Sequence, residues 1–193
     1  MKRLLFIILA TISLNSFAQK AESSLKVGQK APQFVGFDQN GNQFKSSDVL
    51  KDKQLIVVFY RGQWCPYCNR HLSELQDHLE DFQKAGAQIV AVTPEKTENI
   101  EKTIKKTKTE FPVLWDKDNS IMESFGVDFI LAKELQKKYK GFGVDLAKDN
   151  GNESQTLPVP ATFIIGKNGK IKFLQYDPNY KNRSSAKEIL EQL

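Results

Sequence analysis

The chain has 193 residues, 28 Lys and Arg against 23 Asp and Glu, 40% hydrophobic and 26% charged residues, and two cysteines. This composition suits one globular domain, is too apolar for a disordered chain, and contains no run of the about 18 apolar residues that a membrane-spanning helix needs. Two cysteines cannot staple a small secreted scaffold, and with only two histidines no structural zinc cage is expected. No metal and no other cofactor is expected.

At the N-terminus, Met1, Lys2 and Arg3 form a basic start, Leu4 to Leu14 a mostly apolar run, and Ser16-Phe17-Ala18 a small-x-small site. This pattern predicts a signal peptide over residues 1–18, too short to span a bilayer. Residues 19–25 read as a flexible lead-in and 26–193 as the folded domain. No cysteine near the cleavage site is placed to carry a lipid, so no stable membrane insertion is expected. Export, with a bacterial periplasm as the expected destination, would put the cysteines in an oxidising compartment. Losing Lys2 and Arg3 lowers the net charge from +5 to +3. The remaining basic cluster, Lys102, Lys105, Lys106 and Lys108, has no interleaved aromatics; it reads as a solvated helix face, not a nucleic-acid site.

Along the domain, Phe34 to Phe37 and Gln43 to Lys45 flank an Asn40-Gly41 turn and predict a small hairpin. Leu55 to Tyr60 is a continuous β-branched and aromatic run, suited to a strand buried on both faces. Leu72, Leu75, Leu79 and Phe82 then recur at helical spacing up to Gly86. Gln88 to Thr93 predicts a second strand, Pro94 to about Lys108 a polar helix, Val113 to Trp115 a third strand, and Ser120 to Phe125 a helix. That rhythm belongs to a parallel α/β sheet. From Phe129 to Leu157 the pattern loosens into an insertion with a short helix near Lys133 to Tyr139. Thr162 to Ile165 and Ile171 to Tyr176, joined by the short turn at Gly166 to Gly169, must be antiparallel. A helix from about Ser184 to Leu193 ends the chain.

The chemistry concentrates in Tyr60-Arg61-Gly62-Gln63-Trp64-Cys65-Pro66-Tyr67-Cys68, a CxxC at the junction of a buried strand and a helix N-terminus. Unpaired N–H groups and the positive end of the helix dipole favour thiolate there. Pro66 suits the first helical position. Cys65 is then the cap residue, expected to be exposed with a depressed pKa; Cys68, one turn on, is expected to be less exposed. As a mere staple the pair would be poor, since closing about four residues contributes about 2 kcal/mol against about 4.7 for a loop of about 100. A short, strained disulfide is the labile, redox-active kind. Trp64 and Tyr67 either shape an apolar rim around the thiols or are ordinary packing aromatics. Arg61 is either a charge beside them or a surface arginine, and His71 either a proton-transfer aid or a bystander. Haem attachment is excluded, because Asn69 stands where it requires His.

The strand-CxxC-helix unit, followed far downstream by Pro160, the Thr162-Phe163 strand and a Gly-containing hairpin, resembles the thioredoxin superfamily. More closely, Val27-Gly28-Gln29-Lys30-Ala31-Pro32-Gln33-Phe34, the string from Tyr60 to Asn69, Leu157 to Phe163, and Tyr176-Asp177-Pro178-Asn179-Tyr180 to Arg183 resemble the peroxiredoxin-like branch of the alkyl hydroperoxide reductase C and thiol-specific antioxidant family. The resemblance implies a thioredoxin-like α/β fold: a central mixed sheet flanked by helices, an N-terminal hairpin extension, and an insertion before the strand that follows a cis-proline, Pro160. It also implies a substrate groove of Arg61, Trp64, Pro66, Tyr67 and Pro160 around Cys65 and Cys68.

One departure stands out. Peroxiredoxins place a proline seven residues and a threonine three residues before the peroxide-attacking cysteine; in that register the cysteine falls at Cys68, the proline at Arg61 and the threonine at Cys65. Register therefore nominates Cys68 as the attacker, and helix-cap position nominates Cys65. The leading expectation is an antioxidant thiol peroxidase whose CxxC cycles between dithiol and disulfide and is recharged by an external dithiol reductant such as a thioredoxin-like protein. The alternatives are a periplasmic thiol-disulfide oxidoreductase acting on protein disulfides, and a non-catalytic binding module with vestigial cysteines.

Overall fold

The computed structural model describes residues 23–151 and 153–193; the expected signal peptide and most of the lead-in lie outside the described residues. Val35–Phe37 (β1) and Gln43–Lys45 (β2) form the expected hairpin, with Val35 opposite Lys45 and Phe37 opposite Gln43. Asp38 builds its turn: Oδ1 accepts the Asn40 and Asn42 N–H groups at 2.8 Å each, and Gly41 takes φ +80°, a conformation open to glycine without steric cost. A short helix, Ser46–Val49 (α1), leads into Gln54–Phe59 (β3).

Next come Pro66–Asp77 (α2), Leu79–Lys84 (α3), Ala87–Thr93 (β4), Thr97–Thr107 (α4), Val113–Trp115 (β5) and Ser120–Ser124 (α5). The single helix expected after Pro66 is two, because His78 leaves the helical region at φ −108°, ψ 14°. The break falls in the polar stretch Gln76-Asp77-His78, so no core side chain is lost; Leu72, Leu75 and Phe82 on either side stay buried. Gly86 follows α3 with φ +74°, as a terminating glycine does.

The insertion is a closed excursion. Asp128–Ile130 (β6) and Thr156–Pro158 (β7) pair antiparallel at its base, and between them run Lys133–Gly141 (α6) and Leu146–Asn150 (α7). The sequence indicates α6; β6, β7 and α7 are additional, and strands of three residues are too short for a period-2 pattern to show. Leu131, Leu146 and Leu157 make a small core there, against which Trp64 and Tyr139 pack. Ala161–Ile165 (β8), Ile171–Tyr176 (β9) and Ala186–Leu190 (α8) complete the chain, with a Ser185–Glu188 capping box starting α8.

The central sheet has the order β5-β4-β3-β8-β9. The β3, β4 and β5 strands are parallel, while β8 runs antiparallel to β3 and β9 to β8, so the sheet is mixed as expected. Side chains of β3 alternate between two cores. Ile56 and Val58, with Tyr60 just past the strand, join Leu72, Leu75, Ile100 and Ile189 on the face covered by α2, α4 and α8; Leu55, Val57 and Phe59 join Phe34, Phe125 and Phe163 on the other. The two cysteines belong to the first of these cores.

One expected feature is corrected. The bond into Pro160 is trans, and no cis peptide bond occurs among the described residues. The chain does not turn tightly before β8: β7 holds Thr156–Pro158 extended, and the Val159 N–H continues to the Val127 carbonyl at 2.7 Å. An extended approach suits the β-region preference of a residue before proline and gives no reason to abandon the trans form.

Candidate active site

β3 delivers the chain to the junction and β4 holds it there, the Tyr60 N–H reaching the Val92 carbonyl at 3.1 Å. The loop that follows is pinned on several sides. Gln63 N–H donates to Glu95 Oε2 at 2.7 Å, Asn69 Nδ2 and Lys106 Nζ donate to the Gln63 carbonyl at 2.9 and 3.1 Å, and the Cys65 N–H closes onto the Gly62 carbonyl at 3.1 Å. Cys65 caps α2 with extended backbone, φ −91°, ψ 106°, and Pro66 opens the helix as expected. No acidic residue occupies the first turn, so nothing opposes the helix dipole at the thiol.

Both cysteines are reduced and buried. The exposed Cys65 expected of a cap residue is not found: Arg61 from its own loop and tyrosines from two distant parts of the chain close over it. Arg61, also buried rather than at the surface, donates from Nη2 to Cys65 Sγ at 3.3 Å and from Nη1 to the Tyr139 hydroxyl at 3.1 Å. Its guanidinium carbon lies 3.9 Å from the centre of the Tyr180 ring and 5.1 Å from that of Trp64. Tyr139 comes from the insertion and Tyr180 from the segment after β9, both invisible to local pattern.

The two thiols are electrostatically unequal. A hydrogen bond from Cys68, followed by the Arg61 charge, holds the Cys65 thiol well below its ordinary pKa against the opposing effect of burial. Burial, then the hydrogen bond to Cys65, pushes the Cys68 thiol up, and the Arg183 charge works the other way. Arg183 Nη2 donates to Cys68 Sγ at 3.2 Å. Each sulfur thus has its own guanidinium, and Cys65 is the one favoured as thiolate.

Cys65 lies at a cavity of about 230 Å³ walled by Trp64, Tyr67, Tyr139 and Tyr180, with Phe142 also lining it. Of the expected groove residues, Arg61, Trp64, Pro66 and Tyr67 line this cavity and Pro160 does not. Pro160 immediately precedes Ala161, which pairs with Phe59 inside the sheet, and tyrosines from the insertion and the tail supply the wall instead. His71 is buried, with Nε2 2.9 Å from the Ser184 carbonyl. Because a carbonyl only accepts, Nε2 carries the hydrogen; burial, then the Arg183 charge, depresses the ring to about 4, so it is neutral at neutral pH. It anchors the tail beside Cys68. Glu95 is fully buried behind the loop, and its only local sign is a charged residue just past Pro94 at the end of buried β4.

Residues 27–174 match the family model described as the AhpC/TSA family. The chain belongs to that family. It is 28% identical over 163 residues to the thiol-disulfide oxidoreductase ResA of Geobacillus thermodenitrificans, covering 84% of this chain and 75% of that protein. It is 31% identical over 103 residues to the peroxiredoxin Bcp of Escherichia coli, covering 53% of this chain and 65% of that one. Its fold is shared with the crystal structure of the peroxidoxin BcpB from Mycobacterium tuberculosis, at a TM-score of 0.67 and 18% identity over 87% of this chain and 96% of that chain. Relatives of both names mark this peroxiredoxin-like chain as an enzyme of thiol redox chemistry, a thiol peroxidase or oxidoreductase.

Proposed function

We propose that this AhpC/TSA-family chain reduces hydroperoxides with Cys65 as the attacking thiolate and Cys68 as the resolving thiol. The observation that carries this reading is the Arg61 guanidinium, 3.3 Å from a Cys65 sulfur that borders the aromatic cavity. The Cys65 thiolate attacks the distal oxygen of the hydroperoxide; an S–O bond forms, the O–O bond breaks, and the alkoxide leaves and takes a proton to become the alcohol. Arg61 is placed to hold the thiolate before attack and to donate toward oxygen as negative charge moves onto it. Cys68 then displaces the sulfenic oxygen as water, and an external dithiol protein reduces the resulting disulfide. Cys65 has no exposed surface but borders the aromatic cavity, which offers a small peroxide a route to its sulfur. Export to an oxidising compartment belongs to the same proposal and rests on the basic, apolar and small-residue regions of residues 1–18.

The test is peroxide consumption by single variants. Cys65→Ser is expected to abolish it, whereas Cys68→Ser is expected to consume one equivalent and retain a sulfenic acid that dimedone labels at Cys65. Undiminished consumption by Cys65→Ser would sink the assignment. Efficient reduction of protein disulfides, without peroxide reactivity above that of a free thiol, would overturn the peroxidase reading in favour of disulfide exchange.

A further inference from the structure

The tail from Asp177 to Arg183 does more than cover the cavity. Its Tyr180 packs on Arg61 and its Arg183 reaches the other sulfur, 3.2 Å from Cys68 Sγ. The Arg183 position is held from α2: His71 binds the Ser184 carbonyl at 2.9 Å, and Glu74 accepts the Ala186 N–H at 2.8 Å. The helix that carries Cys68 thus also fixes the arginine facing it. We propose that Arg183 readies Cys68 for the second half of the cycle, holding it as the nucleophile that closes the disulfide once Cys65 has been oxidised.

The inference rests on Cys65 being the sulfur that meets peroxide. In the reduced pair, burial first, and then the hydrogen bond and charge of the Cys65 thiolate, keep the proton on Cys68. Oxidation replaces that thiolate by a neutral sulfenic acid, and the opposition from Cys65 disappears. Burial of Cys68 remains, and Arg183 is the charge positioned to counter it. The Cys68 sulfur then attacks the Cys65 sulfur. The S–S bond forms and the S–O bond breaks. Hydroxide leaves, and with the proton given up by Cys68 it departs as water, so atoms and charge balance without a further reactant.

The experiment follows the two steps separately in the reduced protein mixed with hydrogen peroxide. Tryptophan fluorescence, with Trp64 beside Cys65, reports a peroxide-dependent phase and a peroxide-independent phase, and dimedone capture with mass spectrometry identifies the sulfenic acid. Arg183→Gln is expected to retain the first phase and slow the second by about tenfold, the effect of losing about one pKa unit of thiolate stabilisation. Dimedone should then label Cys65, as is expected of Cys68→Ser. Arg183→Lys, which keeps the charge but not the fork, should restore part of the second rate, and it carries the comparison alone if Arg183→Gln does not fold. Disulfide closure at the wild-type rate in these variants, or equal slowing of both phases, would overturn the proposal. A Cys65→Ser control that still consumes peroxide would instead overturn the reading beneath it, and the two failures are distinguishable.

Discussion

Glu95 shows what one buried carboxyl does to a redox loop. Burial pushes it up from 4.5 to about 8, with the Gln63 N–H, Lys102 and Lys106 acting against the rise and Asp149 adding to it. An unfolded chain returns this group to an ordinary carboxylate value, so between about pH 4.5 and 8 the native state binds the extra proton. The stability contributed by the uncharged form is complete below that window and is lost as pH rises through about 8. Each pH unit within the window costs at most about 1.4 kcal/mol. Urea midpoints measured from pH 5 to 8 should therefore fall more steeply for the wild type than for Glu95→Gln, which keeps an acceptor for Gln63 and cannot ionise. Parallel slopes would contradict this account. The sequence did not single out Glu95, because nothing local says that a residue two positions past β4 lies under Gln63.

At the scale of the element, the β3–α2 loop is set by how closely backbone approaches side chain. Gly62 has φ +154°, and a Cβ there would lie 2.5 Å from Glu95 Oε1 and 2.6 Å from Trp64 Nε1. Substitution by alanine meets both a disfavoured conformation and a buried carboxyl. Gly62→Ala should lower stability by about 1–3 kcal/mol. It should also slow the reaction with peroxide, since a displaced loop carries with it Trp64 and the carbonyl that fixes the Cys65 N–H. Denaturation together with single-turnover kinetics checks both, and an alanine variant with unchanged kinetics would show that the loop tolerates movement. The strand, the helix and Pro66 at its start are all legible from the sequence, because they depend on neighbours within a few residues. The burial of Cys65 is not: Tyr139 and Tyr180 arrive from 74 and 115 positions further along the chain.

The molecule as a whole keeps its chemistry on one side of the sheet. Cys65 and Cys68 lie in the core with Leu72, Leu75 and Ile189, while Phe59, Phe125 and Phe163 cluster in the other, with Phe125 and Phe163 edge-to-face at 5.0 Å. Phe163→Ala removes the centre of that second cluster and should cost about 3–5 kcal/mol in chemical denaturation. The fraction that remains folded should still react with peroxide, because β3 and β8 separate the lesion from the thiols. A loss of reactivity in the folded fraction would show that the two cores are coupled.

By itself the sequence determined the strand order of hydrophobic runs, the CxxC at a helix cap, the terminal hairpin pair and the family resemblance. These are set by periodicity, proline and glycine chemistry, and short-range spacing. The tertiary structure decided which sulfur is favoured as thiolate, the trans bond before Pro160, and the cover over Cys65. Each of these depends on groups brought together from distant parts of the chain: Arg61 and Arg183 on separate sulfurs, β7 holding the approach to β8 extended, and tyrosines from the insertion and the tail. Register and cap position disagreed about the attacking cysteine because both measure distance along the chain, whereas charge and burial at a sulfur depend on distance through space.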